Sequence, residues 1–159
     1  MLYGEEAETL FAEQIVNLIA EAWERRKDGG VSFAHEYAAI AFNRRPQFAV
    51  EDGLETVMYG DCSEESFVRF EGGADTSVEL MYTWDKDRNV TGVICNVPCP
   101  SQVYELHCFL SADYWGPARS LIREKLGRNV YVLPMCGAAG DLAPIDLVWY
   151  SKTNKQALQ

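Results

Sequence analysis

Histidine is scarce in this chain: 159 residues carry two, His35 and His107. A three-histidine zinc site within the chain is thereby excluded, and a metal would have to recruit Cys, Asp or Glu. Long apolar runs are also missing. No stretch approaches the ~18 residues of a membrane span, so no transmembrane segment is expected. No basic region followed by an apolar stretch opens the sequence, as it would in a secretory signal. The chain as given reads as cytoplasmic; an upstream segment, if the N-terminus is missing, would reopen export to the extracellular space. Basic charge is sparse too, with 14 Lys and Arg against 24 Asp and Glu and a net charge of -10. With no long Lys/Arg stripe, nucleic acid and anionic membrane surfaces are excluded as expected partners. The five cysteines (Cys62, Cys95, Cys99, Cys108, Cys136) are odd in number and form no C-x-x-C pair. That rules out a zinc ribbon and a disulfide framework and indicates a reducing compartment.

What is present is ordinary globular material: 48% hydrophobic and 24% charged residues. A chain of this size buries about 70% of its unfolded surface, enough for a core. Phe11, Ile15, Leu18, Ile19, Ala22 and Trp23 recur at spacings of three and four, which predicts an amphipathic helix over residues 5–27. Glutamates gather at its start, Arg25, Arg26 and Lys27 at its end, and Gly29-Gly30 stops it. Residues 31–42 read as a strand and residues 47–76 as irregular chain, apart from a short strand at Phe67–Phe70 that should pair with the next one. Val78, Leu80, Tyr82 and Trp84 alternate as a half-buried strand does. Val90–Val97 and Val130–Leu133 are near-continuous apolar runs, expected of strands buried on both faces. Between them, residues 111–127 predict a helix with Ser111 as N-cap and Gly127 as its stop. Strand, helix and strand make a βαβ unit with parallel strands. The expected fold is therefore α/β: a mixed sheet with helices packed on it and a βαβ unit in the C-terminal half.

Parallel strands end on one side of a sheet, where open α/β folds bind ligands. The loops leaving the two strands, Pro98–Gln102 and Cys136–Asp141, should share that rim. Small residues at Gly137, Ala138, Ala139 and Gly140 let a backbone approach a ligand and present N–H groups to an oxyanion, with Ser101 on the facing loop. The spacing matches neither a Walker loop nor a dinucleotide fingerprint, and a tight turn at a sheet edge explains it equally. Asp141 could orient a catalytic group or cap the turn that follows. Cys99 and Cys136, one on each loop, could bind a metal with His107 or be buried structural thiols. A Ser-His-Asp triad from Ser101 or Ser111, His107 and Asp113 lacks a G-x-S-x-G elbow. Arg44 offers a planar guanidinium for a carboxylate or carbonyl oxygen, or simply answers the acidic surface.

Four motifs occur in a particular order: Ala41-Phe42-Asn43-Arg44-Arg45, Gly92-Val93-Ile94-Cys95-Asn96-Val97-Pro98-Cys99-Pro100, Ser111-Ala112-Asp113-Tyr114-Trp115-Gly116 and Cys136-Gly137-Ala138-Ala139-Gly140-Asp141-Leu142-Ala143-Pro144. Together they resemble the N-terminal catalytic domain of the neutral/alkaline, non-lysosomal ceramidases, over about residues 36–145. The resemblance implies one α/β domain at 1–150, followed by a polar tail at 151–159, from a zinc amidohydrolase that cleaves N-acylsphingosines. It implies an active-site arginine at Arg44 and an aspartate at Asp113. The family's zinc-binding histidine falls on Pro100 and its serine nucleophile on Ala143, and neither residue can do that chemistry. The His-x-His motif and further ligands would lie outside this sequence. The expectation is a ceramidase-like hydrolase domain for an amide or ester bond, inactive alone, whose site is completed by missing family segments or a homo-oligomer. Its substrate would be a small molecule or lipid, and zinc would bind only if other residues rebuilt the site. The alternative is a non-catalytic module binding a small ligand or a protein.

Overall fold

The computed structural model describes residues 4–58, 62, 65–105 and 107–150; the expected polar tail lies outside them. Helix α1 spans Glu5–Glu24, with Glu5, Glu6 and Glu8 in the first turn where the helix dipole favours them. It ends three residues earlier than the sequence predicts: the Arg25 N–H already closes on the Glu21 carbonyl, and the basic cluster lies beyond the last turn.

The main sheet has the order β1-β6-β7-β8, from β1 (Gly30–Tyr37), β6 (Ser77–Trp84), β7 (Val90–Val97) and β8 (Tyr131–Cys136). The first three strands are antiparallel, and β8 runs parallel to β7 after a crossover through α2 (Trp115–Leu126), as the βαβ reading requires. Val93, Cys95 and Val132 point from the sheet toward Trp115 and Ile122 of α2, where with Val130 they form a buried cluster. Each such side chain contributes about 1.5–3 kcal/mol on burial. The opposite face corrects the expectation for β7 and β8. Instead of being buried on both sides, they alternate, with Tyr131, Leu133 and Met135 exposed because no described element covers that face.

Between β1 and β6 lie four further strands, β2 (Phe42–Asn43), β3 (Pro46–Val50), β4 (Gly53–Thr56) and β5 (Phe67–Phe70). The strand predicted at 31–42 is thus two, since the chain leaves β1 at Tyr37 and β2 pairs elsewhere. The region predicted irregular holds a three-stranded sheet, β4-β3-β5. β3 and β4 join through a two-residue turn at Glu51-Asp52, and Gly53 takes φ 135, open to glycine. β5 pairs with β3 rather than with β6 as expected, placing Phe67 and Phe70 against Phe48 and Cys62. Finally β9 (Leu142–Ala143) returns to pair antiparallel with β2. Leu142 is fully buried there, against Ala41, Val97 and Cys99. The helical turn that follows is capped by Asp146, whose side chain accepts from the N–H groups of Val148 and Trp149.

Candidate functional site

The β2–β9 ladder joins the Asn-Arg motif to the Gly-Ala-Ala-Gly-Asp loop. Asn43 pairs with Leu142, the Arg44 N–H donates to the Asp141 carbonyl at 2.8 Å, and Asn43 Nδ2 donates to Asp141 Oδ2 at 3.1 Å. Asn43 is buried and saturated, its Nδ2 also reaching the Gly73 carbonyl and its Oδ1 accepting from the Arg45 N–H. Sequence reasoning passed over this asparagine, although it opens the Asn-Arg-Arg motif. The Arg44 side chain is half-buried, with Nη2 3.7 Å from Met58 Sδ. Arg45 instead forms an ion pair with Glu71 at the surface.

The two rim loops meet as the topology predicts. Val97 pairs with Cys136 across the parallel strands, and the Gly137 N–H donates to the Val97 carbonyl at 3.0 Å. A Cβ built on Gly137 would lie 3.4 Å from the Pro98 backbone, which places the two loops in direct contact. Past Gly137, the N–H groups of Ala138, Ala139 and Gly140 have no backbone carbonyl partner among the described residues. Ala143, where the resemblance would put a nucleophile, is buried inside the β2–β9 ladder.

Cys136 lies close to Cys99, its Sγ 3.6 Å from the Cys99 carbonyl, while the buried Cys99 thiol points at the carbonyls of Ile40 and Pro100. Burial, foremost, pushes the Cys99 thiol above its ordinary pKa, the opposite of what a thiolate ligand needs. The third proposed donor, His107, stacks on Tyr104 and Phe109 instead. Among the described residues no three His, Cys, Asp or Glu side chains come together to hold a metal. The expected Cys99–His107–Cys136 set therefore does not fit zinc.

Asp113 is held in a turn by backbone hydrogen bonds. Its backbone sits at φ 52, and its carboxylate accepts from the N–H groups of Tyr104 at 3.0 Å and Tyr114 at 2.8 Å. Ser111 Oγ accepts from the Asp113 N–H at 2.9 Å. The left-handed turn at Asp113 also explains why α2 starts at Trp115 rather than at 111. Tyr114, which the sequence reading did not single out, donates its hydroxyl to the Cys99 carbonyl at 2.7 Å. Burial, and next the neighbouring Cys99, push that hydroxyl up to about 12. Beside this knot an open recess of about 200 Å³ is bordered by Ser101, Tyr104, Phe109 and Asp113. Neither Arg44 nor the Gly137–Gly140 loop belongs to its walls.

No family model matches the sequence, and no curated protein matches it. Solved structures do. Neutral ceramidase from Pseudomonas aeruginosa superposes with a TM-score of 0.63 at 16% identity, covering 96% of this chain and 24% of that one. A ceramidase complexed with C2 gives 0.55 at 15% identity, covering 85% and 21%. The fold is ceramidase-like. The chain spans about a quarter of the length of the neutral ceramidase it matches. No described helix is long and apolar enough to cross a membrane.

Proposed function

We propose that this chain is the rim-bearing part of a ceramidase-like hydrolase, and that it holds the amide or ester carbonyl of a lipid-like substrate without cleaving it alone. The observation that carries this reading is the Asn43–Asp141 junction, which ties the Arg44 backbone to the residue that follows the Gly137–Gly140 loop on a ceramidase-like fold. A guanidinium and backbone N–H groups polarise a carbonyl by stabilising the negative charge that grows on its oxygen. Gly137 already has a partner, so Ala138, Ala139 and Gly140 are the donors that remain. Attack on the carbonyl needs a nucleophile and a way of generating it. Pro100 and Ala143 supply neither, and no three His, Cys, Asp or Glu side chains gather among the described residues. Further family segments or a second copy would complete the chemistry.

The test is a fluorescence titration with a short-chain fluorescent N-acylsphingosine, with hydrolysis followed by chromatography. Saturable binding without product is expected, and Arg44→Ala should weaken binding about tenfold, or 1.4 kcal/mol. Product formation by this chain alone would refute the claim of inactivity. Absent binding, or binding indifferent to Arg44→Ala, would favour the non-catalytic module, which the double replacement at Pro100 and Ala143 also supports.

A further inference from the structure

The carbonyl chemistry proposed for the rim leaves two thiols unused, Cys99 and Cys136, and the fold brings their chain segments together. Val97 faces Cys136 across the parallel strands, where neighbouring backbones lie about 4.8 Å apart. The Val97 carbonyl accepts the Cys99 N–H at 2.8 Å and the Gly137 N–H at 3.0 Å, so one oxygen gathers both cysteine segments. The first of these bonds closes a γ-turn at Pro98, which folds Cys99 back over Val97. Paired strand residues share a face of the sheet, and Val97 packs with Cys99 in the cluster around Leu142. The Cys136 side chain therefore lies on the Cys99 side, with its Sγ 3.6 Å from the Cys99 carbonyl oxygen. The two thiols differ in access. Cys136 is exposed, whereas Cys99 is 2% exposed, and all five cysteines of the chain are free.

We propose that Cys99 and Cys136 form a reversible disulfide that locks the rim, made by exchange with a small disulfide such as oxidised glutathione. In the first step the Cys136 thiolate attacks one glutathione sulfur, the S–S bond of the oxidant breaks, and one glutathione leaves as its thiolate. In the second, the Cys99 thiol gives its proton to solvent, attacks Cys136 Sγ and expels the other glutathione. The chain loses two electrons, and the oxidant becomes two glutathione thiols. Burial holds the Cys99 thiol protonated beyond its usual range, so it waits for its neighbour rather than meeting the oxidant itself. Rotation about its Cα–Cβ bond swings the sulfur from the Ile40 and Pro100 carbonyls toward Cys136. The backbones that carry the pair are adjacent, as the ~4.4–6.8 Å Cα separation of a disulfide requires. The bridge ties the end of β8 to the loop after β7 and so fixes the start of the Gly137–Gly140 segment. It also costs Cys99 its place beside Ala41, Val97 and Leu142, which makes the bond labile to reductant. This is thiol chemistry alone, and it stands or falls apart from any lipid at the rim.

The test is intact mass spectrometry of the full chain carrying Cys108→Ser, which leaves Cys136 as the one exposed thiol, after incubation with oxidised glutathione. The expected product is lighter than the reduced chain by two hydrogens and carries no glutathione, and dithiothreitol should reverse the change. Cys99→Ser in that background should stop at one bound glutathione. Serine keeps a donor toward the Ile40 and Pro100 carbonyls, so that variant should fold. Cys136→Ser, at an exposed position, should show neither change. A parent chain that retains one glutathione, or that stays unmodified, would overturn the proposal. Loss of two hydrogens in either variant would overturn it as well, by assigning the bridge to another pair.

Discussion

Tyr114 holds the rim from below: its hydroxyl bonds the Cys99 carbonyl, and its ring, 5.1 Å from that of Trp115, packs on the cluster around Leu142. Its pKa of about 12, raised mainly by burial, has a consequence for stability. The folded chain keeps this proton to higher pH than the unfolded chain, whose tyrosines titrate near 10. The contribution is complete below pH ~10 and is lost as pH climbs to about 12. Urea unfolding should therefore lose more stability over that interval in the wild type than in Tyr114→Phe; equal losses would refute the assignment. Residue by residue, the sequence made charged and thiol groups conspicuous and hid neutral ones. Arg44, Asp141, Cys99 and Cys136 were visible from their loops and motifs. Asn43 and Tyr114 were not, because an amide and a phenol advertise nothing until their partners, far along the chain, are known. Asp113 was noticed from its motif, whereas the two backbone N–H groups that its carboxylate accepts are revealed by no spacing rule.

At the scale of elements, two strand residues carry a disproportionate share. β9 is two residues long, yet Leu142 fills the space between Ala41, Val97 and Cys99. Leu142→Ala should destabilise the chain by about 2–5 kcal/mol, the cost of lost burial plus a cavity. A loss well under 1 kcal/mol in a denaturant titration would mean the cluster is not the rim's foundation. Elements with a full period were legible: α1, β6, β7, α2 with its Gly127 stop, and the parallel β8. β2, β3, β4 and β9 span two to five residues, too short for a period of two to register. The pairing of β5 is a tertiary choice, made by Phe48 and Cys62 rather than by β6. The burial expected of β7 and β8 failed on one side for a reason outside the strands: an apolar run says that a residue prefers cover, not what provides it.

For the whole molecule, the α/β architecture and the common rim could be read from the chain, whereas the pairing of β2 with β9 could not. That ladder ties chain segments far apart, with Asn43 and Asp141 separated by 98 residues. Closing a loop of that length costs roughly 4 kcal/mol of chain entropy. Two ladder pairs return little of this until both sheets stand, so the rim should assemble late in folding and open early in local unfolding. Hydrogen exchange followed by mass spectrometry should find the Arg44 amide, bonded to Asp141, less protected than Val93 in the centre of β7. Equal protection would place both in one cooperative unit. During synthesis the order has a further effect: a nascent chain halted between Cys136 and Asp141 has the four strands of its main sheet but no rim. The same junction that creates the candidate site also makes it a late arrival, formed only after the main sheet that it leans on.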